Sequence, residues 1–105
     1  MSDNHEELAG RLGLALGEVE AIRDGILAQI AKVKPSLAQF AFEPGTRFEE
    51  VGMNSLKMIS VIFEVEEFFG IDIVGRNLED VRTFGETVAV VARLVAEKRN
   101  APAAA

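Results

Sequence analysis

Three stretches of this chain repeat their apolar residues at steps of three and four, and that period commits it to packed helices. Val19, Ile22, Ile26, Ile30 and Val33 make the first set. Leu56, Ile59, Ile62, Phe63, Val65, Phe68 and Phe69 make the second, and Phe84, Val88, Val91 and Val95 the third. Residues so spaced share a face of a helix with about 3.6 residues per turn, and that face is buried against another. Of 105 residues, 49% are apolar, which supplies one small core and not two. The expected fold is therefore all-α: three main helices, one short helix and a long first loop.

Residues 1–17 are polar, then dotted with Gly10, Gly13 and Gly17. Each interior glycine costs a helix about 1 kcal/mol relative to alanine. This part reads as an N-terminal extension, partly helical or flexible, ahead of a folded unit over 18–98. The first main helix stops before Pro35, which pushes its predecessor out of the helical region. Residues 35–50 form a connection of unusual length, and Phe40, Phe42 and Phe48 are expected to pack it onto the helices, with Phe48 as the best anchor. The second helix is expected over 55–69, capped by Asn54 or Ser55 and ended by Gly70. Its apolar residues exceed one stripe, so it meets several neighbours or keeps some for a partner. Ile71 to Gly75 read as an extended link, and a single helical turn is expected around Asn77 to Asp80. Thr83-Phe84-Gly85-Glu86 fits a capping box. It opens a last helix to about Lys98, where Lys98 and Arg99 suit the negative end. Residues 99–105 read as a disordered tail.

The formal net charge of −6 argues against nucleic acid, which needs a basic surface. There is no cysteine and one histidine, His5, so neither a disulfide framework nor a His-rich metal site is expected. No apolar run reaches the roughly 20 residues of a membrane span. The N-terminus lacks a signal pattern, and a cytoplasmic location is expected. Leu8, Leu12, Ala15, Val19, Ile22 and Ile26 follow a heptad-like spacing that admits a coiled-coil dimer. Gly10, Gly13, Gly17 and Gly25 count against it, and a monomer is expected.

The most informative residues run from Val51 to Ser60: Val-Gly-Met-Asn-Ser-Leu-Lys-Met-Ile-Ser. A glycine turn delivers Asn54, Ser55 and Leu56 to the start of an apolar helix. Ser55 has no base to make it a nucleophile. His5 lies in the weakest segment, and Lys57, two residues on, does not face it on a helix. No Gly-x-Ser-x-Gly elbow surrounds it. A helix N-terminus does favour phosphate. Two readings stand on these residues: Ser55 caps the helix, or Ser55 is modified.

From about Val19 to Val95 the chain resembles the acyl carrier proteins. The resemblance is carried by Phe48-Glu49-Glu50-Val51-Gly52-Met53-Asn54-Ser55-Leu56, by Glu64-Val65-Glu66-Glu67-Phe68-Phe69-Gly70-Ile71-Asp72-Ile73 and by Val81-Arg82-Thr83-Phe84. It implies a four-helix carrier bundle with a short third helix. It implies that Ser55 carries 4′-phosphopantetheine, installed from coenzyme A by a phosphopantetheinyl transferase. The arm's thiol would hold acyl groups as thioesters and pass them between enzymes of fatty-acid, lipid or polyketide-type synthesis. The carrier itself would not be an enzyme.

The resemblance also makes the helix after the serine the recognition surface, here Asn54, Leu56, Lys57, Ile59, Ser60, Phe63, Glu66 and Glu67, with Arg76 beyond it. The family usually has aspartate before the serine, where this chain has Asn54. Lys57 and Ser60 stand where acids are frequent, and Arg76 and Arg82 add basic character. These departures imply a specialised carrier whose acyl-transferring or acyl-activating partners present basic or mixed-charge patches. Phe63 is read either as core or as a partner contact. The alternatives are a carrier-fold interaction domain without the arm, and an aminoacyl or peptidyl carrier.

Overall fold

The computed structural model describes residues 3–73 and 81–100. Four α-helices cover most of them: α1 (Asp3–Leu12), α2 (Leu16–Val33), α3 (Ser55–Phe69) and α4 (Phe84–Asn100). No strand is present among the described residues, and the chain is all-α. The short helical turn expected at 77–80, Arg76 and residues 101–105 of the expected tail lie outside the described residues, while Arg99 and Asn100, read as the start of that tail, are the last residues of α4.

Helix α2 is the centre, in contact with the other three. Its stripe of Val19, Ile22, Ile26 and Ile30 is buried, as the apolar period requires. Val61, Ile62 and Val65 of α3 and Val88 and Val91 of α4 meet in the same core. Each such side chain contributes about 1.5–3 kcal/mol when fully buried. Gly25 sits where α3 crosses α2. A Cβ there would come within 2.7 Å of Phe69 Cζ and 2.9 Å of Phe68 Cε2. Two ion pairs tie helices together: Lys32 Nζ lies 2.8 Å from Glu64 Oε1 across α2 and α3, and Arg99 at the end of α4 pairs with Glu18 at the start of α2.

The glycine-dotted N-terminal segment is folded over Asp3–Leu12, and it packs on α2 and α4. Leu8, Ala9 and Leu14 are buried. Gly13, in the left-handed region at φ 72°, breaks the chain between α1 and α2. The Leu14 N–H then donates to the Ala9 carbonyl at 2.9 Å, a glycine C-cap of the Schellman kind. This corrects the heptad reading. Leu8 and Val19 lie on either side of the break, and Val19, Ile22 and Ile26 face the protein's own core.

The long first connection packs down through Phe42 and Phe48, while Phe40, expected to join them, stays 41% exposed with its ring against that of Phe42. Phe48 is buried, and Phe42 stands 5.1 Å from Phe84 and 6.1 Å from Phe48 between ring centroids. Two short 3₁₀ turns, Pro35–Leu37 and Phe48–Val51, give it local structure. Backbone bonds stitch it to the residues entering α4. Phe48 N–H donates to the Arg82 carbonyl at 3.1 Å and Phe84 N–H to that of Thr46 at 2.9 Å, around an antiparallel bridge of Arg47 with Thr83. The capping box of α4 forms as its sequence predicts: Thr83 Oγ1 accepts from Glu86 N–H, and Glu86 Oε1 accepts from Thr83 N–H, both at 3.1 Å. No helix among the described residues is long and apolar enough to cross a membrane.

Candidate functional site

The turn that presents Ser55 is built in four steps. The 3₁₀ turn Phe48–Val51 ends in Gly52, left-handed at φ 82°. Met53 follows, buried, with its N–H donating to the Phe48 carbonyl at 3.0 Å. Asn54 is extended, and its Oδ1 accepts from Lys57 N–H at 2.9 Å. Asn54 is thus the cap of α3, which satisfies one of the free amides of the first turn. Ser55 is the first residue of the helix and is exposed. Its hydroxyl holds no hydrogen bond among the described residues. The choice left open by the residues alone, Asn54 or Ser55 as cap, falls to Asn54.

A groove of about 410 Å³ opens beside Ser55. Its floor is apolar, with Phe48, Met53, Met58, Ile62 and Val81. Its rim carries Arg47, Glu49 and Arg82, Ser55 itself and Ile59. Arg47 and Glu49 pair with each other. Arg47 and Arg82 reach one wall because the bridge between Arg47 and Thr83 brings the two segments side by side. The lysine side chain of Lys34 lies over the Gly52 turn, its Nζ 3.6 Å from where a Cβ at Gly52 would stand.

The candidate recognition residues divide by environment. Leu56 is 73% exposed, Ile59 42% and Phe63 55%, and their spacing sets them on one side of α3 leading away from Ser55. Phe63 is therefore a surface residue and not core. Ser60 is exposed and donates from Oγ to the Leu56 carbonyl at 3.3 Å, and Lys57 is half-buried. Glu67 is exposed. Glu66 is half-buried, and its Oε2 accepts from Ile73 N–H at 2.6 Å, fastening the link that follows α3. Arg76 lies outside the described residues.

The groove wall was not legible from the residues alone. Phe48 had the signal of an aromatic in a long loop, and Arg82 was read only as basic character alongside Arg76. Nothing in the spacing joined Arg47, Arg82 and Val81 to Ser55.

The described residues fit a serine-linked phosphopantetheine. The hydroxyl is exposed and unbonded among them, a helix N-terminus lies behind it with free amides for a phosphodiester, and an apolar-floored groove runs from it. When bound, such an arm supplies a thiol that carries an acyl group as a thioester. A family model described as the phosphopantetheine attachment site matches residues 24–91, from the middle of α2 to the middle of α4. No curated protein and no solved structure matches the chain. Helix α1 lies outside the matched residues. Domains of this family are attachment sites for 4′-phosphopantetheine and are generally non-catalytic carriers, loaded by a phosphopantetheinyl transferase. With about two-thirds of its length matched, and with an exposed serine at the head of its apolar helix, the chain belongs to the phosphopantetheine-attachment family of carrier domains.

Proposed function

We propose that Ser55 is the attachment point of the arm and that the protein is an acyl carrier. One observation carries the first part: Asn54 does the capping, so the Ser55 hydroxyl is left exposed at a helix N-terminus with no hydrogen bond among the described residues. Among the described residues no side chain is bonded to that hydroxyl to make it a nucleophile in its own right. Its chemistry is that of an acceptor, which a transferase with its own base modifies.

The acyl reading is supported by the apolar floor of the groove, which suits a hydrocarbon chain better than a peptide. Its setting is fatty-acid, lipid or polyketide-type synthesis. The stripe of Leu56, Ile59 and Phe63 next to Ser55 is the surface on which partner enzymes dock, with Lys57 and Ser60 selecting those with mixed-charge patches.

The test is the intact mass of the protein after incubation with coenzyme A and a broad-specificity phosphopantetheinyl transferase. The wild type gains one phosphopantetheine, and Ser55→Ala gains none while unfolding at the same temperature. No gain in the wild type with several transferases would defeat the assignment and favour an interaction domain without the arm.

A further inference from the structure

We infer that the groove beside Ser55 takes an acyl chain that carries a carboxylate at its free end, held by Arg82. The inference rests on Ser55 as the point of attachment and adds a class of cargo to it.

Ser55 is itself part of the groove's rim. Anything tethered there meets the groove at high effective concentration, so weak contacts decide how it lies. The floor is hydrocarbon: Phe48, Met53, Met58, Ile62 and Val81. Its volume of about 410 Å³ is at the low end of small-molecule sites, which run from about 300 to about 1,000 Å³, and it favours a short chain.

The rim sets the polarity of the cargo. Arg82 is fixed at its root by two backbone bonds: its N–H donates to Glu86 Oε1 at 3.1 Å, and its carbonyl accepts from Phe48 N–H at 3.1 Å. Its guanidinium has no carboxylate partner among the described residues. The contrast on the same rim is Arg47, which is paired with Glu49. A guanidinium offers donors in a fork that matches a carboxylate. A plain alkanoyl chain would use the floor and leave Arg82 idle. A phosphate alone would use Arg82 and leave the floor bare. An ω-carboxyacyl chain uses both.

The experiment loads the full-length protein from coenzyme A, pentanoyl-coenzyme A and glutaryl-coenzyme A in parallel. The two acyl groups share a chain length and differ in the terminal carboxylate. Intact mass verifies each loading, and NMR follows Arg82 Nε–H and the methyls of Met58, Ile59 and Ile62. The glutaryl form is expected to move Arg82 Nε–H and to populate the docked state about twofold to fivefold more than the pentanoyl form, as befits an exposed ion pair. Arg82→Gln, and separately high salt, bring the two forms level. Equal shifts from the two acyl forms with Arg82 Nε–H unmoved would overturn the inference and leave a plain apolar groove. An unacylated form that moves Arg82 Nε–H as far as the glutaryl form would also overturn it, because the anion is then the arm's own phosphodiester. A failure to gain mass in all three arms fells the Ser55 assignment, and this inference with it.

Discussion

Asn54 separates two properties that an aspartate would combine. Its amide oxygen caps α3 by accepting from Lys57 N–H, but it brings no charge to the dipole or to a transferase. Asn54→Ala is expected to lower stability by about 1 kcal/mol, read by denaturant unfolding. Asn54→Asp keeps the cap, adds a charge favourable by about 0.3–1 kcal/mol at a helix N-terminus, and speeds arm transfer, measured as the rate of mass gain. Unchanged transfer with a raised midpoint would confine Asn54 to capping. Glu66 shows the limit of reading single residues from the chain. An acid near the end of an apolar helix reads as a solvated or partner-facing group. Only the link returning past it shows that Ile73 N–H occupies its carboxylate.

Helices α2, α3 and α4 were legible because period, cap and stop agree. Pro35 ends α2, Asn54 and Gly70 bracket α3, and Thr83 with Glu86 opens α4. Helix α1 was half legible, since Gly10 within it and Gly13 just after it oppose a helix locally and its stability comes from burying Leu8 and Ala9 against distant partners. Gly25 belongs to the same scale. Read alone it is a weak point in α2; in the fold it is where the rings of Phe68 and Phe69 approach the backbone. Gly25→Ala gains about 1 kcal/mol of helix propensity but overpacks the crossing, which costs about 1–3 kcal/mol. The expected result is a lower unfolding midpoint. Adding Phe68→Ala restores part of it, a coupling that a double-mutant cycle measures. Additive effects would remove the steric account.

Across the whole molecule, charge links elements far apart in sequence. The hydrogen bond from Arg99, with a second from Ala15 N–H, holds the Glu18 carboxyl below its ordinary pKa of 4.5. A carboxylate whose pKa is lowered by folding adds stability that is complete above about pH 4.5 and is lost as pH falls through the lowered value. Arg99→Gln should move the Glu18 titration, followed by carboxyl NMR, back up toward 4.5 and make the acid side of the stability profile less steep. The Lys32 ammonium is raised by its hydrogen bond to Glu64, so the contribution of that pair is present below about pH 10.5 and fades above it. Exposed pairs of this kind weaken with salt. The groove belongs to this scale too. Its floor and rim come from the first connection, α3 and the entry to α4, and no local pattern announces such an assembly.

The bridge of Arg47 with Thr83 has a consequence for how such carriers diversify. It pins the points where the chain leaves the frame and where it returns, and Ser55 with all of α3 hangs between them. Loop closure depends only weakly on the length enclosed, about 0.6 kcal/mol per doubling. The stretch between the pins therefore behaves as a cassette. Exchanged for its counterpart from another carrier, with the buried Phe48, Met53, Val61, Ile62, Val65, Ile73 and Val81 kept for the core, it is expected to carry the proposed docking face with it while the pinned frame stays as it was.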